Sequence, residues 1–490
     1  MTVSLLLPIL TPLALSFLLA GLWGPGPHPF RSHFPLKVCL AIGLALGISS
    51  CTYFGWLLIG GPSRMGLIIG ESTLFIAAAG FLFSTLKKRT SHGDSVLSQE
   101  STPNPSNRWM LPALSVCAIV ALITALTRFV FLSLAAPHGE IDALTIWNLR
   151  ARFLARGDEQ WFDSLIGLLA TRVPDYPLLL PASIARWWTY IGDEPTGIPA
   201  LVAMLFTFAT IGLAASSLSL LRSRSQGLLA GVVLLGTPFL IRHGASQYAD
   251  IPLGFFILAT LVVFCLYERA DGRRDGLLAM AGLMAGFAAW TKNEGLLFVL
   301  VVLLARLPVV VPARGWESYR DEMRAFAAGL LPVLLFVLFF KTYVAPGLSQ
   351  IVADQGAATT IERLSDASRY VEAGQAFFKK AVRFGHPGFA VLLVYLALVG
   401  WSTDKSDRPG LRTAGAMLSL MLVGYFMVFI VTPHGVRYQI ETSLDRLWMH
   451  LWPSAVFLFF LFVKTPEEVI VQNSPLSGKG DILSQVRVRQ

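Results

Sequence analysis

Residues 137–177 carry Glu140, Asp142, Asp158, Glu159, Asp163 and Asp175, with Arg150, Arg152, Arg156 and Arg172 among them. Trp147 and Trp161 stand in the same stretch, and long apolar runs flank it. A carboxylate next to a hydroxyl can take its proton as that oxygen attacks. A guanidinium holds an anion, and its fork suits phosphate in particular. Together with tryptophans between two membrane runs, these groups point to a reaction centre at a membrane–water boundary. The substrate would have one greasy end and one polar end.

Three shorter segments add to this chemistry. SQYADIPL sets Asp250 at the mouth of an apolar run, either as an N-cap for a helix beginning at Ile251 or as a functional carboxylate. WTKNEG places Lys292, Asn293 and Glu294 in a tight connection, where the lysine either snorkels or binds an anionic head group. HGVRYQIETSLDRLWMHLWP gathers His434, Arg437, Glu441, Asp445, Arg446 and His450. The spacing of its two histidines matches no metal-site motif. No metal site or other cofactor is called for. Asp175 serves either as the N-cap of a helix near 178–191 or as a substrate contact.

The elements that must position these groups are membrane helices. The chain has 490 residues, 54% hydrophobic and 14% charged, against about 25% charged in soluble proteins. Its mean hydropathy is +0.62. Apolar runs at 3–23, 36–59, 66–86, 110–136, 197–220, 227–243, 251–267, 276–291, 295–311, 325–345, 387–401, 411–432 and 447–463 predict an all-α polytopic membrane protein with about thirteen spans. The first run has no positively charged lead and no small-residue cleavage site before Pro25, so it is expected to stay as a span. The four cysteines all lie in apolar runs and read as packing residues.

The net charge of +9 is concentrated in alternate loops: 87–89, 222–224, 269–274, 314–324, 405–412 and the tail from Lys464. The positive-inside rule places these in the cytoplasm, with the N-terminus outside, and so accounts for the charge without nucleic acid. The other side then holds 137–196, 246–250, 291–295, 346–386 and 433–446. In the first of these loops, 140–156 predicts an amphipathic interfacial helix. Ala143, Leu144, Trp147, Ala151 and Leu154 share one arc, and Asp142, Thr145, Asn148, Arg152 and Arg156 the other, with Gly157 ending the helix. A second outer helix over 178–191 puts Pro181 in its first turn and offers Trp187, Trp188 and Tyr190 to an aromatic belt. Loop 346–386 is also helical in period and covers the site or receives an acceptor. The organisation expected is a three-span extension (1–86), a flexible linker (87–109), a module over 110–311, a module over 312–463 and a tail (464–490).

The order of these features resembles the GT-C class of integral membrane glycosyltransferases, in the protein-mannosyltransferase-like and aminoarabinose-transferase-like branch. GEIDALTIWNLRARF, DYPLLLP, ADIPL and GLMAGFAAWTKNEG carry the likeness. It is close over 110–311 and a matter of layout over 325–463. The resemblance implies a polyprenyl-phosphate sugar donor, an outer-loop aspartate as general base and basic residues on the lipid phosphate. By position Asp142 matches the base, Lys292 the Thr-Lys lysine and Asp250 the aspartate of the next outer mouth. The adjacent Asp-Glu pair of the common form is absent, and Glu140 stands two residues before Asp142, so the base is one of these two. Asp175 stands where histidine or proline is frequent.

The expected activity is therefore inverting transfer of a sugar to an envelope acceptor (a glycan, lipid or protein) at the outer face of a bacterial inner membrane. Asp142 or Glu140 is the base. Lys292, Arg152 and Arg446 hold the donor phosphate, and Asp250, Asp175, Asn293 and Glu294 contact substrate. The partners are the lipid-linked donor, membrane lipid and that acceptor. The alternative is a transporter or flippase for a lipid-linked or small polar substrate. Span centres nearly free of charge argue against ion-coupled transport, since Glu71, Arg128 and Lys341 lie nearer the outer thirds.

Overall fold

The computed structural model describes residues 2–23, 33–61, 63–90, 109–157, 160–169, 175–270, 275–345, 357–384, 388–402, 408–433 and 435–472. These residues are helical almost throughout. The only extended pairing among them is an isolated bridge between Trp401 and Val463. Helix is the expected form for such a chain, because lipid offers no partner for backbone N–H and C=O groups. Residues 91–108 of the expected linker, His434 and the tail beyond Gln472 lie outside the described residues.

The chain begins with α1 (Thr2–Trp23), α2 (Phe34–Gly60), α3 (Arg64–Thr90) and α4 (Met110–Ala135). A π-helical turn, Ala143–Trp147, leads into α5 (Asn148–Arg156), α6 (Trp161–Leu169) and α7 (Leu179–Ile191). Next come α8 (Gly197–Leu221), α9 (Arg224–Leu235), α10 (Pro238–Ala245), α11 (Asp250–Arg269), α12 (Asp275–Thr291) and α13 (Asn293–Phe339). A second π-helical turn, Phe340–Val344, extends α13. The remainder is α14 (Ala357–Ser365), α15 (Ala367–Arg383), α16 (Gly388–Val399), α17 (Arg408–Val431), α18 (Val436–Phe462) and α19 (Pro466–Gln472).

Among the described residues, seven helices are long and apolar enough to cross a membrane, or up to nine if each of two bent pairs is one span. Several such helices fit a multi-pass membrane protein. The difference from about thirteen has local causes. The runs 295–311 and 325–345 both lie in α13, which counts once, but they are two arms parted at Gly315 (φ 83°, ψ 170°), where the chain doubles back so that Arg306 reaches Glu322 and the Tyr319 hydroxyl reaches the Leu303 carbonyl. The run 447–463 is the second half of α18, whose first half is the charged segment expected as a loop over 433–446. The run 227–243 breaks at Gly236–Thr237, with Pro238 opening α10, and the two pieces are bent by 63°.

The packing centres on α11, buried from Asp250 to Tyr267 and surrounded by α8, α12, α17 and α18. By contrast, α4 buries only Ala125 and Phe129 and turns its other sides outward. Polar groups gather at the two ends of α11. Asp250 lies at one end. At the other, Glu268 joins Arg306 and Arg314, which also hold Glu322. Those ends are about 27 Å apart at 1.5 Å per residue, close to the roughly 30 Å of a bilayer's hydrocarbon. Arg222 joins the second group's end, bonded to the Val463 carbonyl and to Glu468. The basic positions 222 and 314 thus share the end away from Asp250.

The extension 1–86 is packed into this same core. The Tyr53 hydroxyl reaches the Leu154 carbonyl and Thr189, and Trp290 donates to Ser50. Glu71 receives Arg186 at 2.8 Å and Tyr190 at 2.6 Å, with the arginine and carboxylate almost wholly buried. Removing one partner from such a pair costs about 3–5 kcal/mol, whereas replacing both with apolar groups is often neutral. Glu71→Ala is therefore expected to lower the thermal unfolding midpoint in detergent clearly. The double variant Glu71→Leu, Arg186→Leu should recover most of the loss, as read by intrinsic fluorescence.

Candidate functional site

Asp250 begins α11 and has no exposed surface. It does not act as an N-cap. Its Oδ1 accepts from Lys292 at 2.9 Å and His450 at 2.6 Å, and its Oδ2 from His243 at 3.1 Å and from Arg446 at 2.9 and 3.1 Å. His450 is fixed in turn by Tyr425, whose hydroxyl lies 3.0 Å from Nδ1. A buried carboxylate is tolerable only with this degree of pairing. With both oxygens saturated, Asp250 serves as a counter-ion that aims its neighbours and has no lone pair left to remove a proton.

Lys292 occupies the one-residue connection between α12 and α13, in an extended backbone conformation. It does not snorkel: it is 2% exposed, 3.1 Å from Glu294 and stands over the Tyr176 ring. Burial pulls its pKa down, but Asp250 and Glu294 outweigh burial and hold the ammonium above its ordinary range. Arg446 behaves likewise, with Asp250 and Asp142 overcoming its desolvation.

Asp142 reaches this group through Arg446, whose Nη1 lies 2.7 Å from Asp142 Oδ2. The first loop is held there by its backbone. Glu140 N donates to the Ser246 carbonyl, and Gln247, in a left-handed conformation (φ 61°), bonds Asn148 and the Pro137 carbonyl. Gly139 (φ 75°) permits the approach, since a Cβ there would lie 2.7 Å from Ser246 O. A side chain at position 139 would lift Asp142 off the cluster. Glu140 points away: it is 42% exposed and pairs with Arg242 at 3.4 Å.

Asp175 does not cap α7, whose N-cap is Leu178 without a side-chain bond. Its carboxylate instead accepts from Asn293 at 2.8 Å. Lys341, in the second π-turn, donates to Asn293 Oδ1 at 2.6 Å and to the Asp175 carbonyl. Glu294 gives Oε1 to Lys292, while its buried Oε2 has no hydrogen-bond partner among the described residues. Such an orphan acceptor calls for a donor from elsewhere. Tyr176 joins the two groups. Its ring stacks on Trp147 at 5.5 Å, and burial pushes its hydroxyl up to about 12, so it stays protonated at neutral pH. Arg150 donates to the Tyr176 carbonyl at 2.7 Å. Burial brings it down to about 10, partly opposed by Asp175, and it too remains charged.

Asp142, Asp250, Lys292, Glu294 and Arg446 are thus brought together, with Asp175 and Asn293 beside them. Arg152 is not. It lies 3.2 Å from His138 and 3.6 Å from Glu194, over Trp188. Of the arc expected to be apolar, Ala143, Trp147, Ala151 and Leu154 are buried and Leu144 is exposed, while Asn148 and Arg150 are buried as well. Trp187, Trp188 and Tyr190 are buried inside the protein and form no aromatic belt. Gly157 does end α5, but with right-handed φ; its role is close approach, since a Cβ would lie 2.3 Å from Trp161 Cα.

Sequence reasoning missed His243, Lys341 and Tyr176, and saw His450 only as an unlikely metal ligand. Among the described residues no group of three or more histidine, cysteine, aspartate or glutamate side chains is placed to hold a metal ion. No family model, curated protein or solved structure matches the chain.

Proposed function

We propose that this chain is a membrane glycosyltransferase that moves a sugar from a polyprenyl-phosphate donor to an envelope acceptor. The observation that carries this reading is the unbroken ion-pair chain Asp142–Arg446–Asp250–Lys292 at the mouth of a buried membrane helix. It joins a partly exposed carboxylate to two fixed cations at the end of an apolar helix, the combination that a donor with a lipid tail and a charged head group would need. In this reading the Asp250 end faces outward, the chain crosses a bacterial inner membrane about thirteen times, and the C-terminus is cytoplasmic.

The acceptor hydroxyl or amine attacks the anomeric carbon and its proton passes to Asp142. The bond from that carbon to the phosphate oxygen breaks, and its electron pair stays on the phosphate. Arg446 and Lys292 stabilise the charge that develops there, in a low-dielectric setting that strengthens their effect. A single displacement inverts the anomeric configuration. Glu294 and Asn293 contact the sugar's hydroxyls. Glu140, exposed and paired elsewhere, is not the base. Glu140→Gln should therefore keep most of the turnover that Asp142→Asn loses, in an assay of labelled polyprenyl-phosphate sugars against a panel of envelope acceptors. A donor that stays intact with every acceptor would count against the proposal.

A further inference from the structure

We infer that Asp142 is latched while the donor is absent and that a lipid-borne phosphate releases it by taking its place on Arg446. The inference rests on the transferase reading for the identity of the anion; the exchange itself follows from the geometry of one guanidinium. Arg446 fastens its Nε and Nη2 to Asp250, and Tyr248 packs its ring beneath it at 5.2 Å. Those contacts fix the plane of the fork. That leaves Nη1, whose partner is Asp142 at 2.7 Å.

The two carboxylates on Arg446 differ in kind. Asp250 is fully buried and is held by Lys292, His243 and His450 as well. Asp142 has a side chain 21% exposed, and among the described residues its one ion-pair partner is Arg446. An incoming anion can displace the second without disturbing the first. Phosphate suits the vacated arm because Nη1 can donate a charge-assisted hydrogen bond to one of its oxygens. Lys292 has both its carboxylates within 3.1 Å and is buried, so it adds field without freeing a donor. Once phosphate sits on Nη1, the like charge turns the Asp142 carboxylate away, toward the acceptor. A base that is free only when donor is bound couples proton removal to the presence of the group being transferred.

The latch makes Asp142 a competitor of the donor phosphate, which an ordinary general base would not be. The full-length protein in lipid nanodiscs would be titrated with sugar-free polyprenyl phosphate and, separately, with inorganic phosphate. Asp142→Asn is expected to bind the polyprenyl phosphate about fivefold more tightly than the unchanged protein, the scale of one part-exposed ion pair. Asp142→Ala should shift affinity in the same direction, which covers the case of one variant failing to fold. Arg446→Lys, with a single nitrogen, should lose the lipid phosphate whether or not Asp142 is present. Equal or weaker binding by both Asp142 variants would overturn the latch while leaving the transferase reading intact. Turnover by Asp142→Asn would instead overturn that reading. Inorganic phosphate binding as tightly as the polyprenyl form would show a general anion site and overturn the lipid assignment.

Discussion

Asp142→Asn is expected to lower sugar transfer by about 10²–10⁴-fold, the usual contribution of a positioned general base, with the fold unchanged. The fold should survive because Asp142 is a peripheral member of the cluster. Among the described residues it has one ion pair, with Arg446, and it lies in a loop held by the Ser246 carbonyl and by the Gln247 side chain on Asn148 and the Pro137 carbonyl. The amide can still accept a hydrogen bond from Nη1 but cannot take a proton. Unfolding midpoint and turnover, measured on the same sample, separate these effects. A midpoint that falls together with activity would mean that Asp142 holds the loop in place, and a general base would not be required to explain the loss.

Asp250→Ala should do the opposite: it should remove activity by removing structure. The change leaves Lys292 with Glu294 and Arg446 with Asp142, and strips two buried histidines of their acceptor. Losing one partner of a buried ionic group costs about 3–5 kcal/mol, which is a large part of the stability of most proteins. The expected result is a much lower unfolding midpoint or failure to accumulate in the membrane. Asp250→Asn, which keeps the shape but removes the charge, should be intermediate. If Asp250→Ala unfolds like the unchanged protein, the cluster is not a cooperative unit.

Much of this site was legible in the sequence because charge in a lipid-adapted chain has few other uses. Asp142, Asp250 and Lys292 each stand at the end of an apolar run; Arg446 links the first two, and Lys292 pairs directly with Asp250. What escaped was partnership and bending. Arg152 lies on the outward arc of its helix, but there it meets His138 and Glu194 and not the Asp142 cluster, and Asn148, expected outward, is buried against Gln247. His243 was hidden at the end of an apparent span. Gly236, Thr237 and Pro238 bend that run, so its last turns become α10 and bring the imidazole to Asp250. Lys341 was visible only as an isolated charge in a span. Its partners, Asp175 and Asn293, come from segments far away in sequence.

The resemblance to GT-C enzymes reads the N-terminal helices as an addition to the usual layout. Physically they are not peripheral, since Tyr53 braces α5 and α7, and Glu71 holds Arg186 of α7. A chain lacking 1–86 would expose Arg186 without its carboxylate.

The most direct measurement follows the sugar itself. Purified protein in nanodiscs would be given polyprenyl-phosphate sugar labelled at the anomeric carbon, together with an extract of envelope acceptors. The account predicts that label leaves the lipid with inverted configuration, that free polyprenyl phosphate accumulates in equal amount, and that neither happens with Asp142→Asn. Label that stays on the lipid in the unchanged protein, or leaves it equally fast in Asp142→Asn, would contradict the account.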